Sequence, residues 1–226
     1  MGLNKINKPE PLAKTAYKSL RHSILTNELT AGVVYNEKKI ARDLGISRTP
    51  VREALLELVS KRLVKFLPQK GVVINTFSIR DIEDVFEIRT VLEVFSIKKI
   101  CLNHENINIS ILKKYLDEQK KAVKNQDAHG FITADRRFHI GFIKLTHNNY
   151  LMDMMNDIRD IMHLMGFKAL SAKGRMEEVV TEHENILNAV EQGDSISAME
   201  QMANHLDYSK IAVNKIQEEE RKNGET

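Results

Sequence analysis

The sequence predicts a mostly α-helical protein made of an N-terminal winged helix-turn-helix and a C-terminal, all-α antiparallel bundle of six helices. Apolar residues recur at helical spacing along most of the 226 residues. Two β-prone runs, at 65–67 and 72–74, flank a Pro/Gly turn and predict one hairpin. Strand patterns stop after Thr76, so we place the winged helix-turn-helix domain at 1–76 and the all-helical domain at 77–226.

The N-terminal part has the order helix, helix, turn, helix, hairpin. Its first predicted helix spans 12–29, with an inward face formed by Leu12, Ala16, Leu20 and Ile24. Two short helices are predicted at 37–44 and about 48–62, separated by Gly45, which permits a tight turn. The hairpin follows the second of them, as the wing does in a winged helix-turn-helix.

The C-terminal part contains six predicted helices. They are bounded by polar or glycine-containing breaks and lie at 79–102, 107–126, 128–147, 150–170, 174–192 and 195–216. Short connections predict antiparallel neighbours. The fourth helix has an apolar stripe that we interpret as core filling rather than a cofactor site, formed by Leu151, Met154, Met155, Ile158, Ile161, Met162 and Met165.

Composition excludes several classes of protein. With 42% apolar and 29% charged residues, the chain has the composition of a globular protein rather than a disordered one. No apolar run approaches the ~20 residues of a membrane span, and none after the N-terminal lysines has signal-peptide length. We therefore expect no membrane partner. The single Cys101 cannot form an internal disulfide, which favours a reducing, cytoplasmic location.

The charge is distributed unevenly. Residues 1–76 carry 14 Lys/Arg against 6 Asp/Glu, whereas residues 77–226 carry 20 against 25. A basic N-terminal part on an acidic C-terminal part predicts a polyanionic partner for the former alone. Charge by itself is also compatible with an ordinary solvated surface.

The third predicted helix has the features of a DNA recognition helix. Ser47 or Thr49 can cap it, and Pro50 is tolerated in its first turn. Arg48 and Arg52 are four residues apart and share a face at its start. The N-terminal residues of a recognition helix meet base edges in the major groove, and arginine suits the paired acceptors of guanine.

Other basic or polar residues surround this helix. Lys38, Arg42 and Thr49 are placed to contact phosphates, and Lys70 at the hairpin tip could reach a minor groove. The alternative interpretation is a solvated amphipathic helix with ordinary surface arginines.

Residues 12–76 resemble the winged helix-turn-helix of GntR-type regulators, most clearly over 40–55 (IARDLGISRTPVREAL). The resemblance implies a repressor that binds a specific double-stranded DNA operator as a homodimer. Lys38 stands where the family commonly has arginine, so a two-pronged base contact is not implied there. The family's DNA-contacting positions correspond to Lys38, Arg48, Arg52 and Gly71, to which we add Arg42, Ser47, Thr49 and Lys70 as DNA-binding candidates.

Four residues of the helical part have the spacing of metal ligands. Asp135 and His139 are four apart on one helix face, while His183 lies 10 residues before Gly193 and His205 lies 11 after Asp194. If the last two helices fold back at that turn, both histidines reach nearly the same level. Three imidazoles and a carboxylate suit a divalent Zn, Ni, Fe or Mn ion. Chance spacing of unrelated polar residues is the alternative.

Residues 79–216 resemble the FCD ligand-binding domain, in its six-helix VanR-like form. The motifs are EIRTVLE at 87–93, DRRFH at 135–139, Asn148 after a helix, EH at 182–183 and HL at 205–206. The resemblance implies that the metal ligands are Asp135, His139, His183 and His205. It also implies that Arg89 meets a small carboxylate effector, and we place Glu93 in the same pocket. Alternatively, Arg89 only forms a salt bridge with Glu93.

Two other functions fit parts of the pattern. A metal-dependent hydrolase fused to a DNA-binding domain could use Glu182 or Glu93 as a base, although no HExxH motif, nucleophile elbow or glycine-rich loop is present. An inert dimerisation bundle attached to a DNA-binding domain would need no metal. The pattern favours a non-enzymatic regulator in which effector binding changes operator affinity.

Overall fold

The computed structural model describes residues 9–165 and 174–224, which divide into two compact units between Thr76 and Phe77. Each unit has its own hydrophobic core. The predicted fold class is confirmed, since the first unit combines three helices with a hairpin and the second contains helices but no strand in its described residues.

The first unit is a three-helix domain with a two-stranded wing. Helices α2 and α3 form the helix-turn-helix, and Val51, Leu55 and Leu58 of α3 are buried in the core. The elements are α1 (Leu12–Leu25), α2 (Glu37–Asp43), α3 (Arg48–Ser60), β1 (Val64–Leu67) and β2 (Gly71–Ile74). The strands are antiparallel, with Val64 opposite Ile74 and Leu67 opposite Gly71.

Helix α1 begins at Leu12 as predicted, but its end and the position of Leu12 differ from the prediction. It ends at Leu25 rather than at residue 29 because Asn27 has a φ of +61°, a left-handed conformation that ends a helix. Leu12 is 56% exposed. Side chains tilt toward the N-terminus of a helix, so the first residue projects beyond the core that covers Ala16, Leu20 and Ile24.

The wing packs against the segment before α2. Tyr35 and Val72 exchange backbone hydrogen bonds of 2.8 and 2.9 Å. Gly71 has a φ of +134°, and a Cβ atom there would collide with the carbonyl oxygen of Tyr35. This position therefore requires glycine for both its backbone conformation and its close packing.

The second unit is a bundle with six α-helices in its described residues. Helix α4 packs against α9, α6 and α7, while α5 packs against α6 and α8. The helices are α4 (Ile79–Cys101), α5 (Ser110–Lys124), α6 (Ala128–Leu145), α7 (Asn149–Leu164), α8 (Arg175–Glu191) and α9 (Ser195–Gly224), with a short 3-10 helix at His104–Asn106. None of the described helices is long and apolar enough to cross a membrane.

Local sequence sets several boundaries in the bundle. Helix α4 begins with a capping box in which Ser78 and Asp81 satisfy each other's backbone N–H groups. The Asn148 side chain caps α7 by accepting hydrogen bonds from the N–H groups of Tyr150 and Leu151. Gly193 has a φ of +68° in the turn that reverses the chain between α8 and α9.

Three predictions for the bundle were inaccurate. Helix α5 begins at Ser110 rather than at 107, because the 3-10 helix and an Asn108 turn precede it. Helix α9 runs to Gly224 rather than 216, and Gln217 there donates to the carbonyl of Met165. Met154 is 57% exposed, since no described residue covers this face at the start of α7. Part of the predicted 150–170 helix, residues 166–170, lies outside the described residues.

Candidate functional site

Three buried histidines meet at the centre of the bundle. They come from α6, α8 and α9, and their Nε2 atoms face one another. The Nε2 atom of His205 lies 3.1 Å from that of His139 and 3.4 Å from that of His183. The predicted fold-back at the α8–α9 turn therefore does bring His183 and His205 to the same level.

Each histidine has its other ring nitrogen on a hydrogen-bond acceptor. The Nδ1 atom of His139 lies 2.5 Å from Glu93 Oε2, and that of His205 lies 2.6 Å from Glu182 Oε2. The Nδ1 atom of His183 lies 2.8 Å from the side-chain oxygen of Gln119. These partners accept hydrogen bonds, so they assign the proton of each neutral ring to Nδ1 and leave a lone pair on Nε2.

The arrangement of these lone pairs fits a bound cation. Three nitrogen lone pairs directed at one point repel each other unless a positive charge lies between them. Two nitrogens bound to one ion at ~2.1 Å stand about 3.0–3.4 Å apart for octahedral or tetrahedral angles, which matches the observed separations. The acceptors on Nδ1 are the partners that metal-bound histidines usually have.

The predicted carboxylate lies at the edge of this cluster. Oδ1 of Asp135 is 3.8 Å from Nε2 of His139 and 3.9 Å from Nε2 of His183. Asp135 is buried and on the same face of α6 as His139. All four predicted ligands are therefore together, with the carboxylate slightly outside the histidine triad.

The surroundings keep the cluster in a form that can bind metal. Burial, assisted by the neighbouring histidines, lowers the pKa of His183 well below its ordinary value. Burial also lowers the pKa of His205, although Glu182 opposes the shift. For Glu93, burial acts to raise the pKa, but Arg89 and His139 outweigh it and bring the pKa to about 2. The two imidazoles are therefore neutral and Glu93 is ionised near neutral pH.

Arg89 and Glu93 have different positions in this site. Arg89 Nε donates to Glu93 Oε1 at 2.6 Å, so the salt bridge considered from the sequence is present. The guanidinium also lines a cavity beside His139, His205 and Asp135, and its Nη groups donate to none of the described residues. Glu93 is fully buried and bonds to Arg89 and His139 instead of lining the cavity.

Sequence reasoning missed a second arginine at this cavity. Arg175, at the start of α8, donates to both carboxylate oxygens of Glu182, at 2.6 and 3.0 Å, and Glu182 in turn accepts from His205. The chain Arg175–Glu182–His205 thus parallels Arg89–Glu93–His139 on the other side of the triad. Arg175 and Glu182 are seven residues apart on α8, a two-turn spacing that would have suggested the pair.

The cavity itself is small and mixed in character. It has a volume of about 30 Å³, which holds one or two water molecules. Its polar lining consists of Arg89, Asp135, His139, Arg175, His205 and Ser209, and its apolar lining of Phe86, Met162, Ala212 and Val213.

The second candidate site lies on the helix-turn-helix. Arg48 and Arg52 are exposed on one face of α3, and Glu37 of α2 lies between them, with a carboxylate oxygen 3.4 Å from each guanidinium. Glu37 was not among the predicted residues, and its side chain is only 13% exposed. Because one carboxylate contacts both arginines, it holds them side by side.

The other predicted DNA-binding residues surround this pair. The side chains of Lys38, Arg42, Ser47, Thr49 and Lys70 are exposed. Lys38, Lys70 and Gly71 border the same groove as the two arginines. Ser47 occupies the N-cap position of α3, but its side chain makes no capping hydrogen bond, so its hydroxyl is not used by the helix.

Two family models match the chain. Residues 12–74 match the bacterial regulatory proteins of the gntR family, and residues 84–208 match the FCD domain. The FCD match alone covers more than half of the chain. The chain belongs to the GntR family. It is a transcriptional regulator with a GntR-type helix-turn-helix and an FCD domain, as the resemblance predicted.

Similar proteins extend this picture. The gluconate operon transcriptional repressor of Bacillus subtilis (strain 168) is a GntR-family relative 25% identical over 209 residues, covering 89% of this chain and 84% of the relative. The structure of E. coli McbR/YncC matches with a TM-score of 0.74 at 22% identity, over 92% of this chain and 99% of McbR/YncC. This likeness concerns the fold.

A further solved structure covers only the FCD part. The Zn²⁺-bound FCD domain of the regulator TM0439 matches with a TM-score of 0.52 at 19% identity, over 62% of this chain and 96% of that domain. The same domain is also known in a metal-free form, which matches with a TM-score of 0.53. At this identity the match shows that the GntR-family chain shares the helical fold of that domain.

Proposed function

We propose that this GntR-family regulator is a repressor whose operator affinity is controlled by a small carboxylate effector bound at a metal centre in the FCD domain. The observation that carries the proposal is the buried triad of Nε2 atoms, each on a ring whose Nδ1 is held by an acceptor. The role as a repressor is supported by the relative that is named the gluconate operon transcriptional repressor.

Asp135, His139, His183 and His205 hold a divalent transition metal in this proposal. Zn is favoured, with Ni, Fe or Mn as alternatives, since imidazoles and one carboxylate suit all of them. The Zn²⁺-bound FCD domain of TM0439 supports the assignment. When bound, the metal supplies a Lewis-acidic position that attracts a carboxylate.

Arg89 is the anion-binding residue of the effector pocket. Its guanidinium is buried, lines the cavity, and has Nη groups that donate to no described residue. A charged group held this way forms strong hydrogen bonds with a carboxylate. The cavity of about 30 Å³ is smaller than any carboxylate effector, so binding requires the lining side chains to move. That requirement gives the effector different affinities for two states of the bundle.

The contacts of the two glutamates in the site favour effector sensing over hydrolysis. Glu93 contacts Arg89 and His139, and Glu182 contacts Arg175 and His205. A general base needs an acceptor free to take a proton from water. Both glutamates instead orient the metal-binding histidines, so we propose that the protein is not an enzyme.

At the DNA, Arg48 and Arg52 bind base edges of the operator. Their position at the N-terminus of α3 and the groove they share with Lys70 and Gly71 support this role. Lys38, Arg42, Ser47 and Thr49 are exposed around them and bind phosphates. Each chain has one recognition helix, which suits a homodimer bound to a palindromic operator. Because the operator is DNA of a bacterial-type cell, the proposed location is the cytoplasm.

Metal binding by chelator-treated protein tests the proposal. Calorimetry should show one Zn²⁺, Ni²⁺ or Mn²⁺ bound per chain, and His183→Ala should remove that binding and the response of operator binding to added carboxylates. Basal DNA binding should remain, because the helix-turn-helix is a separate unit. His129→Ala, an exposed histidine also on α6, is the matched control. Wild-type protein that binds no metal would refute the metal centre.

A further inference from the structure

A groove on the helical unit shares no described residue with the cavity of the proposed metal centre. It lies between α5, α6 and α7 and has a volume of about 780 Å³, which is within the range of small-molecule sites. Helix α6 contributes to both places, because Asp135 and His139 line the cavity whereas Ile140 and Lys144 line the groove. A ligand in the groove would therefore contact a different face of the same helix.

Part of the groove is apolar. Four of its apolar side chains, from three helices, are half-buried: Tyr115, Ile140, Leu145 and Met152. Each keeps some of its surface in water in the described structure. An apolar ligand body in the groove would remove this surface from water, which is favourable.

The charged residues that line the groove are basic. They are Arg136, Arg137, Lys144 and Arg159, and no acidic residue is among the described residues of the lining. The helical unit as a whole has the opposite balance, with 25 acidic residues against 20 Lys/Arg in 77–226. Arg136 and Arg137 each have an acidic partner that does not line the groove, at 3.6 and 3.3 Å. The lining is therefore complementary to an anion.

One end of the groove has two arginines from different helices. The ion pair between Arg136 of α6 and Asp160 of α7 joins these helices next to Arg159. Arg159 forms no ion pair with the residues that the structure describes, and its Nε atom is buried without a hydrogen-bond partner among them. Burying part of a charged group without a partner is costly. A negative charge at this end would therefore stabilise the guanidinium of Arg159.

The apolar side chains begin next to this basic end. Ile140 lies one turn after Arg136 on α6, and Met152 lies two turns before Arg159 on α7. The separation along the helices is about 5–10 Å, which is the length of one or two fused aromatic rings. The groove thus places an anion site beside an apolar surface of small-molecule size.

We propose that this groove is a second ligand site, which binds a small organic anion with a compact apolar body. Arg159 binds the anionic group, and Ile140 and Met152 contact the apolar body. The site is independent of the metal centre and of the effector in the proposed function. DNA fits the groove less well, because a phosphate backbone has no apolar body to cover its half-buried side chains.

Binding of two dyes to the full chain tests the kind of ligand. The anionic probe is 8-anilinonaphthalene-1-sulfonate, and the neutral probe is N-phenyl-1-naphthylamine, which has the same rings without the sulfonate. Fluorescence titration should show one sulfonate bound per chain, about tenfold more tightly than the neutral amine. Absence of sulfonate binding, or equal affinity for the two dyes, would overturn the proposal.

Two substitutions test the position of the anion. Arg159→Met removes the charge but keeps an apolar side chain, so binding of the sulfonate should weaken about tenfold and binding of the neutral amine should not. Thr133→Glu adds a carboxylate to the lining, at a partly exposed position of α6, and should have the same effect. Arg80→Met, at an exposed arginine of α4 that does not line the groove, is the matched control.

Circular dichroism shows whether each variant is folded. If Arg159→Met unfolds the bundle, Thr133→Glu decides the question, because it removes no buried side chain. Folded variants that bind the sulfonate as tightly as Arg80→Met would overturn the proposal. Metal binding and operator binding should be unchanged in the folded variants, since other residues carry them. A negative result at the groove therefore leaves the proposed function untouched, and the reverse also holds.

Discussion

At the scale of single residues, the proposed metal centre depends on partners that are not themselves ligands. Glu93, Glu182 and Gln119 hold the Nδ1 atoms of the three histidines. Phe138 also stacks on the ring of His183, with centroids 4.1 Å apart. These contacts fix the direction of each Nε2 lone pair before any ligand arrives.

Replacing one of these partners should weaken metal binding without removing a ligand. Glu182→Gln loses the carboxylate that accepts from His205, and we expect metal affinity to fall about 10–100-fold. Competition with a chelating dye measures it. Glu184→Gln, at a half-buried glutamate of the same helix that pairs with Lys120, is the control. Equal affinity of the two variants would show that Glu182 has no part in the centre.

Acidification should release the metal. Protons compete with the ion for the imidazole nitrogens, so affinity falls as the pH falls. The pKa values of His183 and His205 are lowered, so their part of this competition lies below pH 6.5. Dye competition across a pH series, corrected for protonation of the dye, measures the dependence. Affinity that rises on acidification would contradict the assignment of neutral imidazole ligands.

The two arginines of α3 should carry sequence discrimination. Arg48→Ala and Arg52→Ala should each weaken operator binding by about 1–3 kcal/mol and leave binding to unrelated DNA less changed. Lys38→Ala should weaken both kinds of DNA alike and reduce the salt dependence. Fluorescence anisotropy with operator and scrambled duplexes separates these outcomes. Unchanged operator affinity in a folded double variant of Arg48 and Arg52 would contradict their role.

Which residues could be predicted depends on how local their contacts are. Asp135 and His139 share a helix face, and a turn of known position relates His183 to His205, so spacing and family resemblance together indicated the cluster that the structure brings together. Gln119 contacts His183 across 64 positions of sequence, and no local pattern marks that contact. Glu37 was missed because its arginine partners lie on another helix. Arg175 was missed although its partner Glu182 lies two turns along the same helix.

At the scale of elements, periodicity predicted the helices better than it predicted their ends. All six bundle helices were expected, because their apolar residues recur over several turns. The start of α5 and the ends of α1 and α9 differed from the prediction. The end of α1 and the start of α5 depended on single events, the left-handed Asn27 and the 3-10 helix before α5. Such events leave little trace in a hydrophobic pattern.

The conformation of the wing depends on one glycine, Gly71, and a substitution there tests this dependence. Gly71→Ala should lower the free energy of unfolding of the first unit by about 1–3 kcal/mol. Alanine rarely adopts the φ of this position, and its Cβ atom would collide with the carbonyl oxygen of Tyr35. Gly32→Ala is the matched control, since Gly32 also has a positive φ, of +82°, but has open space around it. Thermal unfolding of the two variants should differ, with the Gly71 variant less stable.

At the scale of the whole molecule, the proposed metal connects three helices that come from distant parts of the chain. Ligands on α6, α8 and α9 make metal binding a stabilising contribution to the bundle. At a free metal concentration 100 times the Kd, the gain is about 2.7 kcal/mol. Chelator should therefore lower the melting temperature of the wild type and have no effect on His183→Ala. Equal melting temperatures of wild type with and without metal would contradict a resident ion.

The turn at Gly193 also limits how this protein can change over evolutionary time. Inserting one residue in α8 between His183 and the turn would rotate His183 by about 100° and slide it by about 1.5 Å, out of the triad. An insertion in α9 before His205 would do the same to that ring. Insertions and deletions between these histidines should therefore be removed by selection in descendants that depend on the triad.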